Sequence, residues 1–465
     1  MFTLSSTALD DLKANTRGRV VLPADPDYDE VRKVWNAMID RRPAAIVRCA
    51  GVADIRRAVL FAREHGVPLT IRGAGHNIAG SAICDGGLMM DLSLMRSVRI
   101  DPAARRAWVE PGATLADFDH EAQAFGLATP VGINSTTGIA GLTLGGGFGW
   151  LSRRYGMTID NLRAADVITA DGELVRASPN THEDLFWALR GGGGNFGAVS
   201  MFEFQLHPVG PQIYGGLVVF PMAQAREALH AYREAARSMP EELTVWAVLR
   251  KAPPLPFLPA EAHGQPVIVF AVCYSGPVQN GPPVTEPIRQ FGTAYGEHLG
   301  AMPYTAWQKA FDPLLTPGAR NYWKSHDFGD LSDDLFDTLI DSASRLPSPQ
   351  CEIFLGQLGG HAGRIAPDAM AYPNRDAKFI VNVHSRWDSP ADDAACIGWA
   401  REFFGAAAPF ALGSVYVNFM TEEESARINA AYGVNYTRLR AIKGRYDPHN
   451  LFRHNQNIPP VTRAG

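Results

Sequence analysis

Glycine is concentrated in three short segments of this chain, and this clustering limits how the backbone around them can fold. The chain has 45 glycines among 465 residues, close to 10% against a usual share of about 7%. The segments are RGAGHNIAG from Arg72, GINSTTGIAGLTLGGGFG from Gly132 and RGGGGNFG from Arg190. Glycine gathers where the backbone takes positive φ or approaches a ligand closely. Tight turns would explain one such segment, whereas three of them favour a large phosphate-bearing ligand.

These segments match neither of two common phosphate-binding motifs in full. The stretch from Gly75 has P-loop spacing, but Ser81 stands where a lysine must reach the β- and γ-phosphates. Gly192, Gly194 and Gly197 have the spacing of a dinucleotide fingerprint, yet a helical stretch precedes them and a strand-like stretch follows. The fingerprint requires the opposite order. The ligand is therefore predicted to be held in neither of these two ways.

Composition excludes several other classes of function. The net charge of -5 leaves no basic surplus for a nucleic-acid backbone. No apolar run approaches the ~18 residues of a membrane helix, and the N-terminal stretch lacks a secretory pattern. The 5 cysteines are scattered and the 13 histidines lack metal-ligand spacing. We expect a cytoplasmic globular protein with no nucleic-acid partner, no membrane partner and no metal.

The order of predicted elements indicates an α+β protein with two lobes. A strand from Ala44, an amphipathic helix and a second strand form a short β-α-β unit that ends on the first glycine segment. Thr114 is predicted to cap a further helix. After about residue 208 the glycine segments stop and prolines become frequent, while strands and helices continue to alternate. This change in composition predicts a second α+β lobe.

Several motifs in fixed order resemble one enzyme family. They are RGAGHN, CDGGLMMDLSLM, VEPGAT, GINSTTGIAGLTLGGGFGWLSRRYGMTIDN, LFWALRGGGGNFG and the C-terminal NYTRLRAIKGRYDPHNLFRHNQNIPP. Together they resemble the FAD-linked oxidases of the vanillyl-alcohol-oxidase (PCMH-type FAD-binding) superfamily. Within it they are most similar to the berberine-bridge-enzyme-like group, close to its 6-hydroxy-D-nicotine-oxidase-like members. The resemblance covers the first ~205 and the last ~50 residues well and the middle more weakly.

The resemblance implies a two-lobed fold. A PCMH-type FAD-binding domain would be built from both chain ends, with residues 1–207 as its N-terminal part. Residues 208–412 would form an inserted α+β substrate domain, an antiparallel sheet covered by helices. Residues 413–465 would be a C-terminal berberine-bridge-like segment that returns to the FAD domain.

The resemblance also assigns residues to the cofactor. His76 falls at the histidine that bonds covalently to the flavin 8α-methyl group. Asn134 stands where many relatives have a second, cysteinyl attachment, so FAD would be held through His76 only. Thr137 falls at the oxygen-access position. The other positions that match cofactor-contacting segments are Arg72, Gly73, Ala74, Gly75, Asn77, Gly132, Thr136, Gly138, Gly141, Gly145, Gly147, Phe148, Gly197, Val199, Asn418 and Asn455.

Tyr416 is the candidate catalytic base, since the family often uses a tyrosine in a strand that reads Y-x-N-Y. The match here is Tyr416-Val-Asn-Phe419, and strand alternation would place Tyr416 and Asn418 on one face and Phe419 on the other. A second tyrosine of many relatives corresponds to Phe148. Gln357, Tyr322 and Lys324 are further candidates for contact with substrate.

The resulting hypothesis is an FAD-dependent oxidase. It would remove a hydride from a C–H next to an alcohol or amine of a small secondary metabolite or heterocycle, and O2 would reoxidise it to give hydrogen peroxide. A flavin dehydrogenase with another electron acceptor, a carbohydrate oxidase and a non-redox flavin-holding protein are the alternatives. Oligomeric state is not readable from the residues.

Overall fold

A computed structural model describes residues 4–461 of the chain. Within that range it contains eighteen strands in four sheets and fourteen α-helices. Strands and helices both contribute to every hydrophobic core of twenty or more residues among those described. The predicted α+β class is confirmed.

The first sheet contains the predicted β-α-β unit. Its strand order is β1-β2-β4-β3, with β4 parallel to both of its neighbours. A helix of 14 residues crosses from β2 to β3 and ends at Gly66, whose φ is +63°. That helix buries Ile55 and Val59 against the sheet. The elements are β1 (Arg19–Val21), β2 (Ala45–Arg48), β3 (Leu69–Arg72), β4 (Leu88–Asp91), α1 (Ser6–Ala14), α2 (Tyr28–Val31) and α3 (Val52–His65).

The second sheet is antiparallel and follows in sequence. Its strand order is β5-β6-β10-β8-β9. The short strands β7 and β11 form a separate two-stranded antiparallel sheet. The strands are β5 (Val98–Asp101), β6 (Arg106–Val109), β7 (Leu127–Ala128), β8 (Leu162–Ile168), β9 (Leu174–Ala177), β10 (Ala198–Gln205) and β11 (His207–Pro208). The helices are α4 (Leu115–Gln123), α5 (Ile139–Leu144), α6 (Ser152–Tyr155) and α7 (Glu183–Leu189). Thr114 caps α4 as predicted, in a reciprocal capping box with Asp117.

The third large sheet is antiparallel and lies in the middle of the chain. Its strand order is β15-β12-β14-β13-β17-β18-β16. The strands are β12 (Gln212–Pro221), β13 (Leu243–Lys251), β14 (Pro266–Tyr274), β15 (Gly296–Pro303), β16 (Arg320–Phe328), β17 (Glu352–Gln357) and β18 (Phe379–Trp387). The helices are α8 (Ala225–Ala236), α9 (Gly281–Arg289), α10 (Tyr304–Gln308), α11 (Asp333–Ser344) and α12 (Asp393–Ala407).

Strand alternation gives this sheet two different faces. One face packs under α8, α11 and α12, with Val245 and Val383 among its buried residues. The intervening residues of the same strands, such as Trp246 and Ile380, belong to a separate aromatic cluster on the other face. The second face is the one that bears on function.

The C-terminal residues pack onto the third glycine segment. The structure ends with α13 (Ile428–Tyr432) and α14 (Tyr436–Tyr446). Lys443 of α14 is fully buried and donates to the carbonyl of Asn195 at 2.7 Å. Asn455 donates to the carbonyl of Gly194 at 3.0 Å. The C-terminal segment is therefore fixed against the third glycine segment.

One local prediction is wrong. Val417–Phe419 forms a 3₁₀ turn, with Tyr416 immediately before it, and no strand runs through these residues. Phe419 consequently folds back against Tyr416, with ring centroids 4.9 Å apart, and does not occupy an opposite face. The short turn closes because the N–H of Phe419 bonds to the carbonyl of Tyr416.

Candidate active site

The glycine segments and the face of the seven-stranded sheet opposite its helices line one cavity of about 670 Å³. The glycine side contributes the loop after β3, the turn before α5 and the loop after α7. The sheet side contributes aromatic and aliphatic side chains, including Trp246, Trp323 and Phe354. A cleft with one backbone-rich wall and one apolar wall suits a ligand with polar and aromatic parts.

The loop after β3 offers free backbone donors to this cavity. The N–H groups of residues 74–77 donate no hydrogen bond to any residue between 4 and 461. Gly75 has φ of +76°, in the left-handed region that favours glycine. Arg72 holds the base of the loop, since its guanidinium binds Asp91 and the carbonyls of Val31 and Lys33. Successive free N–H groups of this kind form a concave site for an anion.

His76 lies in this loop and is held on two sides. Its ring stacks on Trp35, with centroids 5.0 Å apart and planes 22° apart. Its Nε2 is 2.9 Å from the hydroxyl oxygen of Thr136. Burial lowers the pKa of His76 to about 3, so the imidazole is neutral near pH 7.

Asn134 determines which nitrogen of His76 carries the proton. The Thr136 hydroxyl donates its single proton to Asn134 Oδ1 at 2.6 Å. The hydroxyl oxygen can then only accept from His76, so Nε2 is protonated and Nδ1 keeps its lone pair. Nδ1 has no hydrogen-bond partner among the described residues. The loop therefore presents a neutral imidazole with one free nucleophilic nitrogen.

Tyr416 lies buried in the same cavity with its phenol oxygen already engaged. The oxygen accepts the N–H of Gly147 at 2.9 Å and the Nδ2 of Asn418 at 3.0 Å. Burial raises the pKa of Tyr416 to about 12, although both of these bonds favour the phenolate. The ring of Phe148 packs edge-on against it at 5.1 Å. At neutral pH the phenol keeps its proton.

Most of the residues assigned to the cofactor line the cavity. These are Gly73, Ala74, Gly75, His76, Asn77, Gly132, Asn134, Thr137, Gly138, Gly141, Phe148, Gly197, Val199, Asn418 and Asn455. The other four, Arg72, Thr136, Gly145 and Gly147, stand behind this lining. Each of the four contacts a lining residue or its loop, as Thr136 contacts His76 and Gly145 packs against Asn418.

The three candidates for contact with substrate do not line the cavity. Tyr322 and Lys324 lie on the other face of β16, where they bind Glu423 of the C-terminal segment. Gln357 is buried at the end of β17 and accepts the N–H of Val245. Expectation and structure differ because Trp323, between the two β16 candidates, is the residue that faces the cavity.

The sheet wall also carries a polar row that no sequence pattern indicated. Arg250, Glu352 and His384 line the cavity and stand directly opposite one another on β13, β17 and β18. They are more than 30 residues apart in the chain. Strand pairing brings them together, so no local motif could have indicated them.

Three independent observations indicate that the residues of the cavity suit FAD. Free N–H groups at residues 74–77 suit a diphosphate or a flavin ring edge. Three buried polar atoms at the C-terminal side, Tyr432 Oη, His454 Nε2 and Asn455 Oδ1, have no partner between residues 4 and 461. A Cβ at Gly138 would lie 2.9 Å from Ala74, so the two glycine loops meet without room for a side chain.

The described residues contain neither a candidate membrane span nor a candidate metal site. Between residues 4 and 461 no helix combines the length and apolar character needed to cross a bilayer. In the same range no three His, Cys, Asp or Glu side chains cluster in a way that could hold a metal ion.

Comparison with known proteins identifies the family. Residues 43–178 match the family model described as FAD binding domain, and residues 415–459 match the one described as berberine and berberine like. An FAD-linked oxidoreductase of Dictyostelium discoideum is 31% identical over 449 residues, which cover 96% of this chain and 95% of that protein.

Two further relatives are oxidases of different substrates. A xylooligosaccharide oxidase of Thermothelomyces thermophilus is 27% identical, over 98% of this chain and 95% of that protein. The crystal structure of 6-hydroxy-D-nicotine oxidase from Arthrobacter nicotinovorans superposes with a TM-score of 0.86 at 25% identity, over 98% of this chain and 99% of that one. The chain belongs to the berberine-bridge-enzyme-like family of FAD-linked oxidoreductases.

Proposed function

We propose that this protein is an FAD-dependent oxidase of small aromatic or heterocyclic alcohols or amines. When bound, FAD would accept a hydride from a substrate C–H and pass the electrons to O2, giving hydrogen peroxide. The observation that carries the proposal is the arrangement of His76 in a glycine-walled loop opposite an aromatic wall. A dehydrogenase that uses another acceptor is the alternative within the same family.

We propose that His76 holds FAD covalently, through a bond from its Nδ1 to the flavin 8α-methyl carbon. The bond would replace one methyl C–H and the imidazole N–H, and O2 would take up the two electrons and two protons released. Its neutral ring, its protonated Nε2 and its unpartnered Nδ1 support this role. Asn134 would add no second bond, because a carboxamide has no thiolate to offer. All five cysteines are buried, and none of them lines the cavity.

Thr137 is our candidate for the residue beside the path of O2. It lines the cavity next to Gly138, and its own N–H and carbonyl are engaged with Asn134 and Leu115. A side chain of threonine's size would leave space for a diatomic molecule. This supports an oxidase over a dehydrogenase.

Tyr416 is our candidate for the group that handles the proton of the substrate. Because its oxygen accepts two hydrogen bonds, its own proton is free to be donated into the cavity. With the pKa raised to about 12 by burial, it would orient the reacting oxygen or nitrogen as a donor at neutral pH. It would act as a base only where substrate binding lowers that pKa.

The wall opposite the glycine loops supports a small aromatic substrate over an oligosaccharide. Trp246, Val248, Trp323, Phe354 and Phe419 present mainly carbon to the cavity. Sugars need many hydrogen-bond partners, and the sheet wall offers few. We also propose the division of the chain into residues 1–207, 208–412 and 413–465, which is supported by the span of the seven-stranded sheet within the middle part.

The test begins with the purified protein. It is precipitated in acid, and flavin is measured in the pellet and in the supernatant. We expect flavin in the pellet, its loss from the pellet in His76→Ala, and no change in His263→Ala, an exposed histidine outside the cavity. Flavin in the supernatant of the unmodified protein would contradict covalent attachment.

Electron acceptors are then compared directly. Protein reduced anaerobically with a screen of benzylic alcohols and cyclic amines is mixed with either air or a quinone dye. Fast reoxidation in air with one hydrogen peroxide per turnover would support the oxidase. Reoxidation by the dye alone would identify a dehydrogenase, and a flavin that no substrate reduces would favour a flavin-holding protein.

A further inference from the structure

We propose that His384, held by Glu352, is a binding site for a hydroxyl group on an aromatic substrate. This inference rests on the proposed function, because it treats the cavity as the substrate site. It adds to that function a specific recognition group and the chemical class of substrate that the group selects.

The site is a row of three side chains across adjacent strands. Arg250 of β13 stands opposite Glu352 of β17, which stands opposite His384 of β18. Arg250 Nη1 donates to Glu352 Oε2 at 2.7 Å, and Glu352 Oε1 is 3.0 Å from His384 Nδ1. The row uses both oxygens of one carboxylate, so Glu352 has a fixed orientation.

Glu352 remains ionised in spite of its surroundings. Burial would raise the pKa of this carboxyl, but Arg250 and then His384 hold it below its ordinary value. Arg250 and Glu352 are the only Asp, Glu, Lys or Arg residues among those that line the cavity within residues 4–461. A paired charge in an otherwise apolar wall therefore needs a reason, since apolar residues would fill the space at lower cost.

The pairing orients His384 for recognition. A carboxylate accepts the Nδ1 proton of a neutral imidazole, which leaves Nε2 as a hydrogen-bond acceptor. Nε2 has no partner between residues 4 and 461, although His384 is only 8% exposed. A buried acceptor without a partner favours any ligand that can supply a donor.

Aromatic rings hold the imidazole in place. Trp323 stacks on it with centroids 4.6 Å apart and planes 19° apart. Phe354 stacks on it at 5.8 Å and 20°. Trp323 also contacts Phe419, which packs on Tyr416. His384 therefore lies in the same aromatic wall as Tyr416, with two rings between them.

These contacts define the ligand. The wall accepts a flat apolar ring, and His384 accepts one donated proton. Because Arg250 already pairs with Glu352, the row needs a hydrogen-bond donor from the ligand and no counter-charge, so an uncharged hydroxyl matches it better than a cation or a carboxylate. We infer that the preferred substrate is an aromatic compound with a hydroxyl at the end remote from the reacting C–H.

Two inert ligands of similar size test this without turnover. Phenol and anisole are titrated separately into the purified flavoprotein, and binding is measured by calorimetry. Loss of one hydrogen bond to a buried, charge-supported acceptor predicts that phenol binds about tenfold or more tightly than anisole. Equal affinities, or no binding of either compound, would overturn the proposal.

Variants separate recognition from folding. In His384→Asn the amide can still donate to Glu352, but its oxygen does not reach the position of Nε2, so the ratio of phenol affinity to anisole affinity should fall to near unity. Glu352→Gln, which keeps its size, should reduce the same ratio. A preference for phenol that survives in His384→Asn would contradict the assignment.

The two proposals can fail separately. Peroxide release and flavin reduction report on the oxidase, whereas the phenol-to-anisole ratio needs neither O2 nor a reducible flavin. An inactive protein that prefers phenol through His384 would support the His384 site and contradict the proposed oxidase function. An active oxidase that does not prefer phenol would support the proposed function and contradict the His384 site.

Discussion

The hydroxyl of Thr136 links Asn134 to His76 by donating to one and accepting from the other. The distances are 2.6 Å from Thr136 Oγ1 to Asn134 Oδ1 and 2.9 Å from His76 Nε2 to Thr136 Oγ1. Residue 134 therefore has a role toward the proposed flavin linkage that does not require a thiol. It fixes the tautomer in which the other ring nitrogen of His76 is free.

Thr136→Val should reduce the fraction of flavin that is covalently attached. Valine keeps the shape but cannot hold Nε2–H, so the imidazole is free to adopt the tautomer with a protonated Nδ1. We expect several-fold slower attachment, measured as pellet-bound flavin against time after adding FAD to apoprotein. Thr136→Ser retains the hydroxyl and should attach flavin at the original rate. Equal rates in all three proteins would contradict the tautomer argument.

Tyr416→Phe should lower kcat strongly while flavin stays bound. A positioned acid–base group typically contributes about 10²–10⁴-fold, and the variant also removes the acceptor for the Gly147 N–H. Steady-state kinetics with the best substrate of the screen measure the loss. A variant within twofold of the original would remove Tyr416 from the reaction.

The pH profile distinguishes the two roles of Tyr416. If the phenolate must accept the proton, kcat/KM of the unmodified enzyme rises with pH towards the raised pKa of about 12. If the phenol serves as a donor, the profile is flat until that pKa and falls above it. The pH profile of Tyr416→Phe should show neither the rise nor the fall.

Lys443→Met should destabilise the protein through a buried ion pair. Lys443 and Asp447 are both fully buried, and their side chains are 2.7 Å apart. Removal of the lysine leaves the Asp447 charge uncompensated, which costs about 3–5 kcal/mol. Arg445→Met, on the same helix, breaks a partly exposed pair with Asp184 and should cost less than about 1 kcal/mol. Urea unfolding of both variants measures the difference, and equal losses would contradict the expectation.

Asp119→Asn should stabilise the protein at pH 8 and change little at pH 4. Burial raises the pKa of Asp119 from 3.8 to about 7, and its hydrogen bond from Gln308 only partly opposes this. Between these two pKa values the folded state binds a proton that the unfolded state does not, so stability falls as pH rises. The amide is neutral throughout and avoids this loss.

The measurement for Asp119 is the difference between variant and original. We expect the free energy of unfolding of Asp119→Asn to exceed that of the original by about 1–4 kcal/mol at pH 8. A difference independent of pH would show that Asp119 is not the group responsible.

Local patterns in the sequence predicted much of the part of the fold that carries the glycine segments. Thr114 caps its helix because the Thr-x-x-Asp pattern satisfies two backbone donors within one turn. The β-α-β unit forms where the period of apolar residues changes from two to 3.6 and back. The glycine segments line the cavity because positive φ and close backbone approach are properties of individual residues.

The sheet wall was decided by tertiary structure alone. Alternation along β16 separates Tyr322 and Lys324 from Trp323, but it does not say which set faces the cavity. That choice follows from α11 and α12, which cover one face of the sheet and leave the other open.

Long-range pairing also created the polar row. Arg250, Glu352 and His384 meet only because three strands align in one register, and a shift of one residue would turn each side chain to the other face. The chain therefore determined its family and its cofactor loops through local residues. The groups proposed to select a substrate depend on pairing between strands that are distant in the sequence, and only the folded structure specifies that pairing.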